Sequence, residues 1–182
     1  MEAFIFTGKV VITFGIDAAK LTDELAKSIT LHAKELTFVS ASYTLDDDAA
    51  NVVAAQEIRV NFPQTTVQLV FGTAIPATAK RLTLTIDFTG FLNDQMAGFY
   101  RSTYQDIHGK DCIMASTQFE SLDARRAFPC VDEPAAKATF TLHLTIPTDR
   151  QALSNMPAAA VVRLAGTTKK KISFLPTPKM ST

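Results

Sequence analysis

Alternation of apolar and polar positions dominates this chain. Across residues 8–16, Val10, Ile12, Phe14 and Ile16 fall on one side of an extended segment, with Lys9, Val11 and Thr13 on the other. That period of two predicts a strand. Residues 57–62 repeat it through Ile58, Val60 and Phe62, and Pro63 ends the run, because proline cannot donate to a ladder. Val67, Leu69 and Phe71 mark another strand, and Leu82, Leu84, Ile86 and Phe88 the cleanest of all. Residues 139–146 set Phe140, Leu142, Leu144 and Ile146 against Thr139, Thr141, His143 and Thr145. Residues 28–33, 36–41 and 111–117 read as further strands, with Lys34 and Glu35 breaking the first two; 161–164 and 171–175 carry a weaker signal. Residues 18–27 suggest a short helical turn around Leu21 and Leu25. Residues 90–104, GFLNDQMAGFYRSTY, have no simple period and read as a long loop. Strands spaced by about 10 residues and joined by turns predict an all-β, mostly antiparallel, sandwich-like domain or large curved sheet. With no internal repeat, residues 1–182 read as a single domain.

Composition narrows the class. Hydrophobic residues make up 47% and charged residues 20%, which suits a folded domain with its own core. Acidic and basic residues number 18 each. Without a basic excess, nucleic acid and anionic membranes are not expected as partners. No apolar run approaches the roughly 18 residues that span a bilayer. The N-terminus, MEAFIFTGKV, lacks the basic region of a secretory signal.

Most familiar chemistries find no residues here. His32, His108 and His143 include no i, i+4 pair and no H-E-x-x-H, so no metal site is expected in the chain. Asp46, Asp47 and Asp48 lack the glycine and distal glutamate of a calcium loop and read as a solvated turn. Cys112 and Cys130 read as free buried thiols, Cys130 behaving as a small hydrophobe between Pro129 and Val131. There is no G-x-S-x-G, and the seven glycines form no phosphate loop.

What remains is the stretch 117–134, TQFESLDARRAFPCVDEP. Asp123, Asp132 and Glu133 are expected to pair with Arg125 and Arg126 and so lock a loop onto the sheet. Glu120 follows an apolar strand and alternates with Gln118, which puts both on one side with Phe119 opposite. A carboxylate beside an amide at a strand end can receive a ligand ammonium. A free α-amine titrates near about 8 and a glutamate near about 4.3, so both are charged at neutral pH. A solvated or arginine-paired glutamate is the other reading of the same residues.

TQFESLDARRAFPCVDEPAAKATF resembles the N-terminal domain of the zinc aminopeptidases that include aminopeptidase N and puromycin-sensitive aminopeptidase, and most of all the puromycin-sensitive branch. MAGFYRSTY at 96–104, ALSNMP at 152–157, FLPTPKMST at 174–182 and the opening FTGKVVITF carry the same resemblance across nearly the whole chain. It implies a saddle-shaped, mostly antiparallel β domain that packs on a thermolysin-like catalytic domain of the same parent chain. It maps the family's strand-end Gln-x-Glu onto Gln118 and Glu120, with the glutamate holding the substrate's α-ammonium and the glutamine contacting the same end. An exopeptidase must measure from a charged terminus, and a charge-assisted hydrogen bond does this.

The resemblance also implies what lies elsewhere. The family's zinc ligands, its glutamate general base, its oxyanion tyrosine and its G-x-M-E-N motif have no counterpart in this sequence. Zinc and catalysis are therefore expected in another part of the parent enzyme, and none in this chain alone. The family's first and last strands also have no counterpart, so the chain reads as a fragment whose sheet edges would self-associate. The branch resembled implies a cytoplasmic location. A free-standing β-sandwich binding module without a peptidase role is the competing interpretation.

Overall fold

The computed structural model describes residues 4–182. They form two compact units, one ending at Asp132 and the other spanning Glu133–Thr182. The chain is all-β, and every strand pair is antiparallel.

The first unit contains β1 (Ile5–Gly15), β2 (Ser28–His32), β3 (Leu36–Leu45), β4 (Val53–Asn61), β5 (Thr66–Phe71), β6 (Arg81–Phe91), β7 (Gly98–Gln105) and β8 (Asp111–Gln118). Six of these make one sheet in the order β1-β6-β3-β4-β5-β2, and β7 with β8 makes a separate two-stranded sheet. The inner strand β6, between β1 and β3, alternates along its whole length. Leu82, Leu84, Ile86 and Phe88 are buried, and Thr83, Thr85, Asp87 and Thr89 are half-buried on the other face. Val67, Leu69 and Phe71 of β5, Leu36, Ala41 and Tyr43 of β3 and Leu31 of β2 complete the core. Leu69, Leu84 and Ile86 are fully buried, and each side chain of that size contributes about 1.5–3 kcal/mol. The Tyr43 ring meets Phe71 edge-on at 4.7 Å, and its hydroxyl donates to the Thr73 carbonyl.

Two Phe-Thr-Gly tripeptides face one another across β1 and β6. Phe6 lies opposite Gly90, Thr7 opposite Thr89 and Gly8 opposite Phe88. A side chain on Gly8 would lie 2.3 Å from the Phe88 ring, and one on Gly90 the same distance from the Phe6 ring. Each glycine thus leaves room for the phenylalanine across from it.

Bulges interrupt the alternation in two of the strands that run longer than the sequence reading. β3 shifts register between Phe38 and Ser40, and β4 between Ala55 and Glu57. An extra residue reverses which parity faces inward. In β3 the inward set therefore changes from Leu36 and Phe38 to Ala41 and Tyr43, while Val39 stands in solvent at 68% exposure. The expected turn at 18–27 is a 3-10 helix, Ala18–Lys20, followed by hydrogen-bonded turns.

Residues 90–104 are not the long loop expected. β6 runs to Phe91 and β7 starts at Gly98, so only residues 92–97 connect them. β7 pairs with β8 from Gly98 opposite Gln118 to Gln105 opposite Asp111. Outside Gly98, none of these sixteen positions is fully buried. A hairpin with no dry face imposes no apolar alternation, which is why periodicity missed β7.

The second unit is a three-stranded sheet of β9 (His143–Pro147), β10 (Ala158–Arg163) and β11 (Lys169–Phe174) in the order β10-β11-β9. β11 supplies the buried Ile172 and Phe174, whereas all six residues of β10 are exposed. The strand expected at 139–146 is shorter, because Phe140 bonds Thr177 through its carbonyl and, by its amide, the Thr177 hydroxyl, and the Leu142 carbonyl accepts from the Phe174 amide, outside a regular ladder.

Candidate functional site

The loop after β8 is fastened to the six-stranded sheet by two adjacent arginines. The chain leaves β8 at Gln118, turns with the Asp123 amide donating to the Phe119 carbonyl, and enters a 3-10 helix at Ala124–Arg126. Arg125 is buried, and its Nε donates to the Asp132 carboxylate at 2.9 Å. The Arg125 amide donates to that same carboxylate oxygen, and Nη1 reaches Thr65 Oγ1 at 2.8 Å. Arg126 bonds the Asp123 carboxylate at 2.8 Å and pairs with Glu35. Burial opposes the charge on Arg126, but its hydrogen bonds to Asp123 and Glu35 outweigh that and raise its pKa above the ordinary value.

The two remote partners sit in special backbone positions. Glu35 has φ 58° in the β2–β3 turn, and Thr65 has φ 52° in the β4–β5 turn. Non-glycine residues seldom adopt such angles. Adjacent arginines therefore grip the tightest residue of two different turns. Backbone bonds complete the fastening. His32 and Cys130 exchange amide-to-carbonyl bonds, the Lys34 amide donates to the Arg125 carbonyl, and the Asp132 amide donates to His32 Nδ1 at 3.1 Å. That last bond makes Nδ1 the acceptor and leaves the ring proton for Nε2.

Cys130 lies beneath this loop, 4% exposed. Burial, with the Asp132 charge adding to it, pushes its pKa up to about 12, so it stays a neutral thiol. Gly98 adopts φ 70°, and a side chain there would lie 2.4 Å from Arg126 Cβ. The start of β7 thus packs directly on the arginine-bearing turn.

Gln118 and Glu120 stand at the outer end of this assembly. Both are exposed, and Phe119 between them is half-buried with its ring edge-on to Phe128 at 6.0 Å. Gln118 is the last residue of β8 and pairs with Gly98; Glu120 follows in the turn, and its peptide bond to Ser121 is cis. Glu133 belongs to the second unit, where its carbonyl accepts from the Ala136 amide. The Asp46 carboxylate accepts from the amides of Lys80 and Arg81, Asp47 pairs with Arg81, and Asp48 accepts from Ala50 and Asn51. Among the described residues, no three His, Cys, Asp or Glu side chains gather as a metal ion requires.

Sequence reasoning did not find Thr65, Glu35 or His32 as partners of this loop. They lie 60 to 100 residues away in sequence from the groups they bind, and no local pattern marks them. Gly98 was detectable, because a glycine entering a run of Phe, Tyr and Thr signals a close backbone approach.

Comparison with known proteins shows the family. The Peptidase M1 N-terminal domain profile fits residues 1–182. The chain belongs to that family. It is 40% identical over 181 residues to "Aminopeptidase M1" of Arabidopsis thaliana, covering 99% of this chain and 19% of the relative. It is 37% identical over 185 residues to "Puromycin-sensitive aminopeptidase" of Caenorhabditis elegans, covering 100% of this chain and 18% of the relative. It is 40% identical over 186 residues to "Alanine/arginine aminopeptidase" of Saccharomyces cerevisiae, covering 100% of this chain and 20% of the relative. The chain spans about a fifth of the length of the curated relatives it matches. No helix among its described residues is long and apolar enough to cross a membrane.

Proposed function

We propose that this chain is the substrate-anchoring N-terminal domain of a zinc aminopeptidase, and that Glu120 and Gln118 receive the free α-ammonium of a peptide substrate. The observation that carries this reading is their position. An exposed carboxylate and an exposed amide stand two residues apart at a strand end, and the loop behind them is fixed by the Arg125 and Arg126 network. Rigid support of this kind suits a group that must fix the distance from a charged terminus to a scissile bond.

The pair occupies an open surface rather than a closed pocket. A cavity of about 360 Å³ in this unit is lined by residues such as Phe14, Ile29, Leu31 and Val131 and by neither Gln118 nor Glu120. The remaining wall of the substrate pocket, the zinc ion and the catalytic groups would come from the catalytic domain of the same parent enzyme. The described residues do not fit zinc, and the role proposed for this chain is to bind and orient. Its substrates are peptides with a free N-terminus, and its location is cytoplasmic.

The coding sequence beyond Thr182 tests the reading. G-x-M-E-N and H-E-x-x-H should follow in frame, and a parent gene without them would overturn it. In the full-length protein, Glu120→Ala should weaken peptides with a free α-amine more than their desamino analogues. Equal effects on both would count against an ammonium contact.

A further inference from the structure

A carboxylate that measures from a charged terminus has to be held in place before the substrate arrives. Gln118 is held by the sheet, as the last residue of the β7–β8 ladder, opposite Gly98. Glu120 lies past the end of that ladder. Gln118, Glu120, Ser121 and Leu122 are all exposed, whereas Phe119 is half-buried. Within residues 118–122, Phe119 is thus the side chain that turns away from solvent toward the body of the unit. Its ring meets Phe128 edge-on, with centroids 6.0 Å apart and 70° between the planes, an arrangement that aromatic pairs favour. Phe128 in turn packs against the hydrophobic core of this unit.

The backbone adds a second tie at the same residue. The Phe119 carbonyl accepts from the Asp123 amide at 2.9 Å, which closes a turn over residues 119–123. The far end of that turn is fixed as well. Arg126 holds the Asp123 carboxylate, and the Phe128 amide donates to the Ala124 carbonyl at 3.2 Å. Glu120 sits inside this turn, one residue past Phe119.

The arginine network therefore fixes the loop behind the pair, and Phe119 fixes the turn that carries Glu120. We propose that Phe119 is a positioning residue, whose ring, seated on Phe128, sets where Glu120 and Gln118 meet the substrate's α-ammonium. This rests on the reading of Gln118 and Glu120 as the ammonium-binding pair. Phe119 itself touches no charge. Its effect passes through the backbone to the residues on either side of it.

The test uses the full-length aminopeptidase that carries this domain and two competitive inhibitors, leucine hydroxamate and 4-methylpentanohydroxamate, which differ only in the α-amine. The ratio of their inhibition constants reports the ammonium contact and does not depend on how much enzyme is folded. Phe119→Ala should weaken leucine hydroxamate about tenfold relative to the amine-free compound, since a misplacement of about 1 Å costs as much as about a hundredfold. Phe119→Gln, which fills similar space without the apolar contact, should shift the ratio the same way and carries the test if Phe119→Ala does not fold. Phe119→Leu, which keeps an apolar chain against Phe128, should hold the ratio within about threefold of wild type. Equal weakening of both inhibitors, or no change in either, would overturn the assignment. Glu120→Gln, measured beside them, should also weaken leucine hydroxamate selectively. If it leaves the ratio unchanged, the ammonium reading falls and the Phe119 assignment with it. If it shifts the ratio while the Phe119 variants do not, only the Phe119 assignment falls.

Discussion

Arg125 and Asp132 form a buried ion pair, with Nε 2.9 Å from the carboxylate and the two side chains only 9% and 6% exposed. The pair closes the loop that begins at Gln118 and brings the chain back beside β2 through the His32–Cys130 bridge. Removing one partner strands a charge in the interior, which costs about 3–5 kcal/mol. Arg125→Met and Asp132→Asn should each lower the free energy of unfolding by that amount, read from denaturant titration as a lower midpoint. Arg125→Met combined with Asp132→Leu should recover part of the loss, because no buried charge is left over. Single variants within about 0.5 kcal/mol of wild type would mean that the pair does not hold the loop.

Gly98 meets two constraints at once, a positive φ and contact with Arg126. Gly98→Ala should destabilise the unit by at least about 1–2 kcal/mol, the ordinary cost of a left-handed alanine, with the 2.4 Å approach to Arg126 adding to it. Hydrogen exchange should locate the damage at the first residues of β7. A variant as stable as wild type would refute the packing described.

The two cysteines should separate by reactivity. Cys112 is partly exposed on β8, whereas Cys130 is buried with its pKa pushed up to about 12. At pH 8 Cys130 is a neutral, covered thiol, and the thiolate is the form that reacts. A thiol reagent should therefore label one cysteine per native chain and the second only after unfolding. Two equivalents reacting at the same rate in the native state would contradict the burial of Cys130.

Glu120→Ala in the parent enzyme should cost about 1.5–3 kcal/mol of substrate binding, the worth of a hydrogen bond to a charged group. That is roughly a 10- to 150-fold rise in KM for peptides with a free N-terminus. Unchanged KM and kcat would remove Glu120 from the site.

The isolated chain should self-associate. β1 is a terminal strand of the six-stranded sheet, runs eleven residues in unbroken register with β6 and exposes Ile5 and Val11. Such an edge invites pairing with another chain, and a lysine on it opposes this. Light scattering after size exclusion should show a mass that grows with concentration, and Val11→Lys should reduce it. A stable monomer at high concentration would count against edge pairing.

Much of the fold was legible in the sequence. β1, β5 and β6 could be read directly, because a sheet with one dry face forces apolar residues onto every second position. β4 could be read only from its bulge onward, and the reading of β3 stopped at Ala41, just past its bulge, where one extra residue reverses the parity. β7 was hidden because neither face of its hairpin is dry, although its Phe, Tyr and Thr content favours a strand.

For the site, residue types and spacing put charges of both signs between 118 and 133 and singled out the alternation of Gln118 with Glu120. They could not say which arginine takes which partner. Only the folded chain decided that Arg125 bonds Asp132 and Thr65 while Arg126 bonds Asp123 and Glu35. Local alternation is dictated residue by residue, by whether each side chain meets water or core. The partners of a buried charge are set by which distant turns the sheet brings within about 3 Å of it, because desolvation leaves a buried charge no water to fall back on.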